Sequence, residues 1–213
     1  RYNDLIEKQI SKGNLGVINM LNAKYVISNG EAIQNPDALG NAWFVDSLIY
    51  ADGANAEMEA LDSLDAGRAA VVDKPFQGIL KATAAKQPGD TIFETTYAPN
   101  RLTYHSQSAG NRVAVFSEIY FPWGWTATID GKPAEIARVD YVLRALPVPA
   151  GKHTIEFRFE PQSQVTGERI SIASIIIVHM LIAGSIALAV VRYLRRKKGG
   201  KPEDNAPKAD ELA

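Results

Sequence analysis

The 213-residue sequence contains no cysteine, which excludes disulfide bonds, thiol chemistry and cysteine-ligated zinc sites. It also lacks a glycine-rich phosphate loop, an HExxH helix, a GxSxG elbow and an EF-hand loop. His105 and His153 lie in predicted strands without metal-ligating partners nearby in the sequence. Asp130, Asp140 and Glu118 could meet in the fold, but their spacing identifies no catalytic pair. We therefore predict no cofactor, no metal site and no catalytic residue in this chain.

The formal net charge of -1 hides an uneven distribution of charge along the chain. Residues 1–169 carry 16 Lys and Arg against 20 Asp and Glu, whereas residues 192–213 carry 7 against 4. A mildly acidic body argues against nucleic acid as a partner.

One segment, ISIASIIIVHMLIAGSIALAVV at 170–191, contains no charged residue. As a helix, 22 residues extend roughly 33 Å, enough to cross the apolar core of a bilayer. The alternative, a buried helix of a soluble protein, rarely lacks charge over such a length. His179 lies in the middle of this segment, where it is a candidate for contact with a neighbouring membrane helix.

Basic residues follow the apolar segment immediately, at Arg192, Arg195, Arg196, Lys197, Lys198 and Lys201. The positive-inside rule then places the C-terminus in the cytoplasm and residues 1–168 on the extracytoplasmic side.

Alternating polar and apolar residues between about 91 and 161 indicate short strands separated by turns. Asp130-Gly131 predicts a two-residue hairpin turn, and Ile155, Phe157 and Phe159 share one face of the last strand. The fold class is therefore mainly β (α+β): an antiparallel β-sandwich ectodomain, with a small N-terminal part of helices and strands, followed by one transmembrane helix. The predicted segments are an N-terminal α+β part at 1–77, the sandwich at 78–168, the membrane helix at 169–192 and a basic, disordered cytoplasmic tail at 193–213.

The best candidate surface is aromatic. Tyr120, Trp123, Tyr141 and Arg144 are glycan-binding candidates, because aromatic faces stack on sugar rings and arginine pairs with phosphate or carboxylate groups. Trp125 shares a strand face with Ala127 and Ile129 and is expected in the core. Trp123 is open to two interpretations, an exposed platform or a packed ring.

Several blocks resemble the C-terminal region of the bacterial YfhO-family membrane proteins. They are LNAKYVI at 21–27, NAWFV at 41–45, RAAVVDKPF at 68–76 and SEIYFPWGWTATIDGKPAEIARVDYVLRALPVPAGKHTIEFRFEP at 117–161. The last block is the specific one. Its PWGW has one residue more than the PGW usual in the family.

The resemblance implies a polytopic protein similar to GT-C glycosyltransferases, which use polyprenyl-phosphate-linked sugars and modify cell-envelope glycopolymers. In such enzymes the acidic catalytic residues lie in an early extracytoplasmic loop, which this chain does not contain. The chain itself is then expected to be non-catalytic and to lie in the bacterial cytoplasmic membrane, as part of a longer protein. Its expected partners are the membrane, other transmembrane helices, and a cell-envelope glycan or a lipid-linked sugar.

Two other functions remain open on sequence grounds. The chain could be a structural or interaction module without a ligand, which stabilises the membrane bundle or contacts an envelope partner. It could also be a single-pass adhesin. Upstream membrane spans in the intact reading frame favour the glycosyltransferase-like protein or the structural module. A signal peptide just before Arg1 favours the single-pass adhesin.

Overall fold

A computed structural model of the protein describes residues 1–81 and 85–199. The helices in this part of the chain are α1 (Tyr2–Lys8), α2 (Leu15–Met20), α3 (Ala54–Ala60) and α4 (Gln162–Gly199). The strands are β1 (Tyr25–Ser28), β2 (Glu31–Gln34), β3 (Ala42–Val45), β4 (Ser47–Ala51), β5 (Ala69–Asp73), β6 (Thr91–Ala98), β7 (Arg101–Ser108), β8 (Arg112–Ile119), β9 (Trp125–Ile129), β10 (Lys132–Ala134), β11 (Ala137–Val139), β12 (Leu143–Val148) and β13 (Gly151–Phe159). They group into two units, Arg1–Pro161 and a second that begins at Gln162.

The first sheet of the sandwich has five antiparallel strands in the order β10-β9-β13-β7-β6. Strand β13 lies at its centre and follows the alternation seen in the sequence. Ile155 and Phe157 are fully buried, whereas Lys152 and Arg158, on the other face, are exposed. One face of this sheet therefore packs on the core and the other faces solvent.

The hairpin predicted at Asp130-Gly131 is confirmed. Strands β9 and β10 pair with Ile129 opposite Lys132, which leaves two residues in the loop. Both residues have positive φ, 51° for Asp130 and 76° for Gly131, as a type I′ turn requires.

The second sheet has six strands in the order β3-β8-β12-β11-β5-β4. It is antiparallel except for β4 and β5, which pair in parallel and are joined through α3. Phe44 and Phe116 belong to the core cluster shared with the five-stranded sheet, while Trp43 and Val115 belong to the cluster that contains helices α1 to α3. The predicted antiparallel sandwich is thus confirmed, with a helical layer on the outer face of its larger sheet.

The first helix is shorter than the helical segment that the pattern at 3–12 suggests. Helix α1 ends at Lys8, and a 3-10 turn covers Ile10–Lys12. Between them Gln9 is buried, and its side-chain amide donates to the carbonyl oxygen of Met58 at 3.1 Å. Burial of this polar side chain against α3 accompanies the break in the helix.

Strands β1 and β2 form a separate two-stranded hairpin. Its side chains are largely exposed, including the apolar residues Tyr25, Val26, Ile27 and Ile33. This apolar surface has no partner among the described residues. Two-stranded ribbons are by themselves only marginally stable in water.

Helix α4 begins at Gln162 and continues to Gly199, past the predicted limits of the membrane segment. Its stretch Gln162–Lys197, 36 residues, is long and apolar enough to cross a membrane, and it is the one helix of the described chain with this property. Residues 200–213 of the predicted tail lie outside the described residues.

Candidate functional site

The candidate site is built around the loop that joins β8 to β9. The backbone amide of Tyr120 donates to the carbonyl oxygen of Val142 at 2.6 Å, which ties the start of the loop to the residue before β12. At its end, the carbonyl oxygen of Gly124 accepts from the amide of Glu160 at 2.8 Å. Gly124 has φ of +95°, which glycine adopts without steric cost. The loop is therefore held at both ends.

This loop carries a row of aromatic rings. Phe121 and Trp123 meet edge to face with ring centroids 5.2 Å apart, and Trp125 lies 5.3 Å from Phe159. Trp123 is 69% exposed, so its ring is not packed in the core, and its role as a binding platform stays a prediction. Trp125 is half-buried and packs against the core of the sandwich, as its strand register predicts.

Arg144 of β12 lies beneath Trp125 and is only 3% exposed. Its Cζ is 4.1 Å from the centroid of the Trp125 ring and 5.6 Å from that of Phe157. Nε donates to the carbonyl oxygen of Ile119 at 3.1 Å, whereas Nη1 has no hydrogen-bond partner. Burial lowers the pKa of Arg144, and the nearby charge of Glu118 opposes that effect. The guanidinium stays protonated because its unperturbed pKa is so high, so a buried cation supports the ring of Trp125.

A groove of about 340 Å³ opens beside these rings. Its aromatic side is formed by Tyr120, Phe121 and Trp125, and its opposite side by Pro133 and Glu135 of the β10 segment. Aromatic faces with a carboxylate and backbone groups nearby suit a sugar, because apolar C–H faces stack on rings while hydroxyls take up hydrogen bonds.

The four glycan candidates fall into different surroundings. Tyr120 borders the groove and packs edge to face on Phe76, with centroids 5.5 Å apart. Trp123 is not part of the groove lining, but its ring contacts Phe121, which is. Arg144 is beneath Trp125. Tyr141 is buried, and its hydroxyl donates to Asp4 Oδ2 at 2.9 Å. The structure therefore places Tyr120 in the lining of the groove. It connects Trp123 and Arg144 to that lining only through Phe121 and Trp125, and it places the Tyr141 side chain in a separate cluster.

His179, the candidate in the membrane segment, lies on α4. Its Nδ1 is 2.8 Å from the carbonyl oxygen of Ile175, one turn earlier in the same helix. This contact assigns the ring proton to Nδ1 and leaves Nε2 as an acceptor in the neutral ring.

A second groove, of about 290 Å³, lies on the solvent-facing side of the five-stranded sheet. Phe93 and His105 line it, with ring centroids 6.1 Å apart, beside Asp130 and His153. It offers one exposed aromatic ring, and its Asp130 and His153 already bond to each other at 2.7 Å. The loop groove, with three aromatic residues on one side, is the better candidate for a sugar.

Sequence reasoning missed a buried cluster of charges between α3 and the six-stranded sheet. Glu57 is fully buried and accepts from Arg1 Nη1 at 2.6 Å and from the amide of Tyr141 at 3.0 Å. Arg138 donates to Asp73 at 2.9 Å. These residues are up to 140 positions apart in the chain, and no local motif joins them. Buried charges paired in this way fix how α3 and the sheet fit together.

Asp140 lies next to this cluster. It is fully buried; Oδ1 accepts from the amide of Val71 at 2.7 Å, and Oδ2 has no partner. Burial raises the pKa of Asp140 to about 8, since little compensates the loss of water. Among residues 1–81 and 85–199, no three His, Asp or Glu side chains are arranged to hold a metal ion.

A known protein family matches part of the chain. Residues 69–171 match the family model of the bacterial membrane protein YfhO, a range that covers β5 to β13, the loop groove and the start of α4. No curated protein and no solved structure matches the chain. The family match agrees with the apolar helix α4 in indicating association with a membrane. This part of the chain is thus similar to the YfhO family of bacterial membrane proteins.

Proposed function

We propose that this chain is the extracytoplasmic, non-catalytic domain and last membrane span of a polytopic protein resembling GT-C glycosyltransferases. In this proposal the sandwich binds a glycan of the cell envelope, or the sugar of a lipid-linked donor, and positions it for chemistry elsewhere in the parent protein. The observation that carries the proposal is the groove beside Tyr120 and Trp125, which combines aromatic faces with the carboxylate of Glu135.

The predicted site residues contribute in different ways. Tyr120 and Trp123 are the side chains proposed to touch the sugar, because both are accessible on the same loop. Arg144 contributes by holding the Trp125 ring from beneath. Tyr141 is proposed to contribute indirectly. Its buried side chain holds the turn before β12, and the next residue, Val142, accepts the hydrogen bond from the Tyr120 amide. His179 is proposed to bond through Nε2 to another membrane helix of the parent protein.

The glycan proposal is tested by tryptophan fluorescence of the full chain in detergent micelles, titrated with cell-envelope glycans and polyprenyl-phosphate-sugar analogues. A saturable change that Tyr120→Ala abolishes supports the proposal. Phe93→Ala, in the other groove, is the matched control and is expected to leave the titration unchanged. If no ligand changes the emission of the folded chain, the groove is not a glycan site.

Sidedness is proposed from the basic residues after the apolar segment. Because the chain has no native cysteine, single cysteines report their own location without background. In intact cells a membrane-impermeant maleimide is expected to label Lys152→Cys in the sandwich and to leave Lys208→Cys in the tail unlabelled. The reverse pattern would contradict the proposed orientation.

A second function, a structural module without a ligand, is favoured by one separate observation. The β1–β2 hairpin exposes Tyr25, Ile27 and Ile33, an apolar surface suited to packing on another part of the parent protein. Charged substitution at Ile27 separates the two functions. It should reduce the yield of the assembled parent protein if the hairpin packs there, and it should leave glycan titration of the isolated chain unchanged.

A further inference from the structure

Three aromatic side chains are exposed at one end of the five-stranded sheet. Tyr97 is 69% exposed, Phe121 is 45% exposed and Trp123 is 69% exposed. Tyr97 lies at the end of β6, whereas Phe121 and Trp123 lie in the β8–β9 loop. Burial of aromatic rings of this size is favourable, so three exposed rings at one end of the sheet indicate a partner with an apolar component.

The turn that follows Tyr97 and the loop that carries Phe121 and Trp123 are both bonded to the last residues of the sandwich. The amide of Phe159 donates to the carbonyl oxygen of Asn100, beyond the end of β6, at 2.9 Å. The amide of Glu160 donates to the carbonyl oxygen of Gly124 at 2.8 Å. A Cβ at Gly124 would come within 2.9 Å of the Pro161 side chain, which shows how closely the loop packs there. The exposed rings are thus fixed around the exit point of the chain.

The membrane segment follows directly. Pro161 is the last residue of the folded unit, α4 begins at Gln162, and the charge-free run begins at Ile170. Eight helical residues between Pro161 and Ile170 extend on the order of 12 Å. Chain connectivity therefore keeps the exit point, and the loops bonded to it, close to the polar headgroups of the bilayer.

The chemistry of the exposed side chains fits that environment. Tryptophan and tyrosine concentrate at the membrane–water interface, because each has an apolar ring and a polar group. Two half-exposed arginines, Arg101 and Arg158, lie on the paired strands β7 and β13 at the same end of the sheet. Both arginines pair with Glu156, and a half-exposed guanidinium can in addition donate to a lipid phosphate.

We propose that Tyr97, Phe121 and Trp123 form an interfacial anchor that lies in the headgroup region and holds the sandwich against the membrane surface. This inference goes beyond the proposed function; it rests on the proposed membrane span and does not depend on glycan binding. Phe121 also lines the loop groove and Trp123 is also a proposed sugar contact, so the anchor and the groove share these two rings, whereas Tyr97 belongs to the anchor alone.

The test uses the full chain in vesicles of phosphatidylcholine and phosphatidylglycerol that contain lipids brominated near the carboxyl end of the acyl chain. Bromine quenches tryptophan only at short range. The chain has three tryptophans, and Trp43 and Trp125 are buried or half-buried in the sandwich. We expect brominated lipid to quench the emission and Trp123→Phe to lose most of that quenching. Trp125→Phe, the matched control, should keep it.

Iodide in the aqueous phase provides the complementary measurement. A Trp123 that lies in the headgroup region is protected from iodide in vesicles, whereas a Trp123 that faces water is quenched by iodide there. Quenching of Trp123 by iodide in vesicles, together with no quenching by brominated lipid, would overturn the anchor. Glycan titration is read separately with Tyr120→Ala, so failure of the anchor is distinguishable from failure of the groove.

Discussion

The guanidinium of Arg144 lies under the indole of Trp125, with Cζ 4.1 Å from the ring centroid. This contact joins the two sheets, because Arg144 belongs to β12 of the six-stranded sheet and Trp125 to β9 of the five-stranded one. A cation–π contact removed from water is worth about 2 kcal/mol, more than the same contact on the surface. The pair therefore supports both the sandwich and the wall of the candidate groove.

Replacement of Arg144 tests this relationship. Arg144→Lys keeps the charge but loses the planar group and the bond from Nε to Ile119, so we expect the free energy of unfolding to fall by about 2 kcal/mol. Urea unfolding of the full chain in detergent, followed by tryptophan emission, measures the change. Arg158→Lys is the control, because that side chain is half-exposed and its substitution should change little. Equal effects of the two substitutions would contradict the supporting role of Arg144.

We expect the stability of the fold to depend on pH, because burial raises the pKa of Asp140. Its folded pKa of about 8 lies above its ordinary value of 3.8, so folding takes up a proton between these two pH values. The free energy of unfolding that Asp140 contributes therefore falls as pH rises from about 4 to 8, by at most about 1.4 kcal/mol per pH unit. Asp140→Asn removes this dependence. The variant should match the native chain near pH 4 and be the more stable of the two at pH 7.

Asparagine is a well-matched replacement here, because Asp140 has φ of +48° and asparagine tolerates the left-handed region. Its amide oxygen can accept from Val71 as the carboxylate does. Parallel curves of unfolding free energy against pH for the two proteins would show that Asp140 titrates normally.

His153 holds two turns together in a pH-dependent manner. Nδ1 lies 2.7 Å from Asp130 Oδ2 and Nε2 lies 3.1 Å from the carbonyl oxygen of Ala150, so the ring satisfies both acceptors only when it is protonated. The hydrogen bond with Asp130 raises the pKa of His153 above 6.5. The pKa of Asp130 is lowered from 3.8, first by the amide of Thr154 and then by His153.

The raised pKa of His153 and the lowered pKa of Asp130 set the pH range in which each group stabilises the fold. The contribution of His153 is complete below pH 6.5 and is lost as pH rises through its raised pKa, and that of Asp130 is lost as pH falls below 3.8. Proton NMR titration of the His153 ring should give a pKa above 6.5, and Asp130→Asn should return it towards that value. A pKa unaffected by Asp130→Asn would contradict the assignment.

Local sequence patterns predicted those parts of the fold that short-range forces determine. The Asp130-Gly131 turn is set by two adjacent residues, and the buried face of β13 by an alternation over nine residues. The packing of Trp125 against the core followed from its register with Ala127 for the same reason, although the residue is half-buried and also lines the groove. In each case the determining groups are neighbours along the chain.

Positions that depend on distant partners were not predictable in this way. Tyr141 reads as an accessible aromatic, but it is buried by a contact with Asp4, 137 residues away. Arg144 interrupts an apolar strand and is nevertheless buried, because Trp125 and Phe157 of the other sheet cover it. Pairing of β3 with β8 and of β5 with β11 is likewise long-range. Hydrophobic periodicity identifies strands but carries no information on which strands pair.

Gly124 provides a test of the loop geometry on which both the groove and the anchor depend. A Cβ at this position would lie 2.9 Å from both the Phe159 ring and the Pro161 side chain, and φ of +95° disfavours any other residue. We expect Gly124→Ala to lower the free energy of unfolding by about 3 kcal/mol, from backbone strain and steric overlap together. Gly131→Ala is the matched control, because Gly131 also has positive φ but no atom within 4 Å of its added Cβ. It should show the strain alone, roughly 1 kcal/mol. The difference between the two variants, measured by urea unfolding, isolates the packing of the loop on the chain exit, and equal losses would show that this packing is loose.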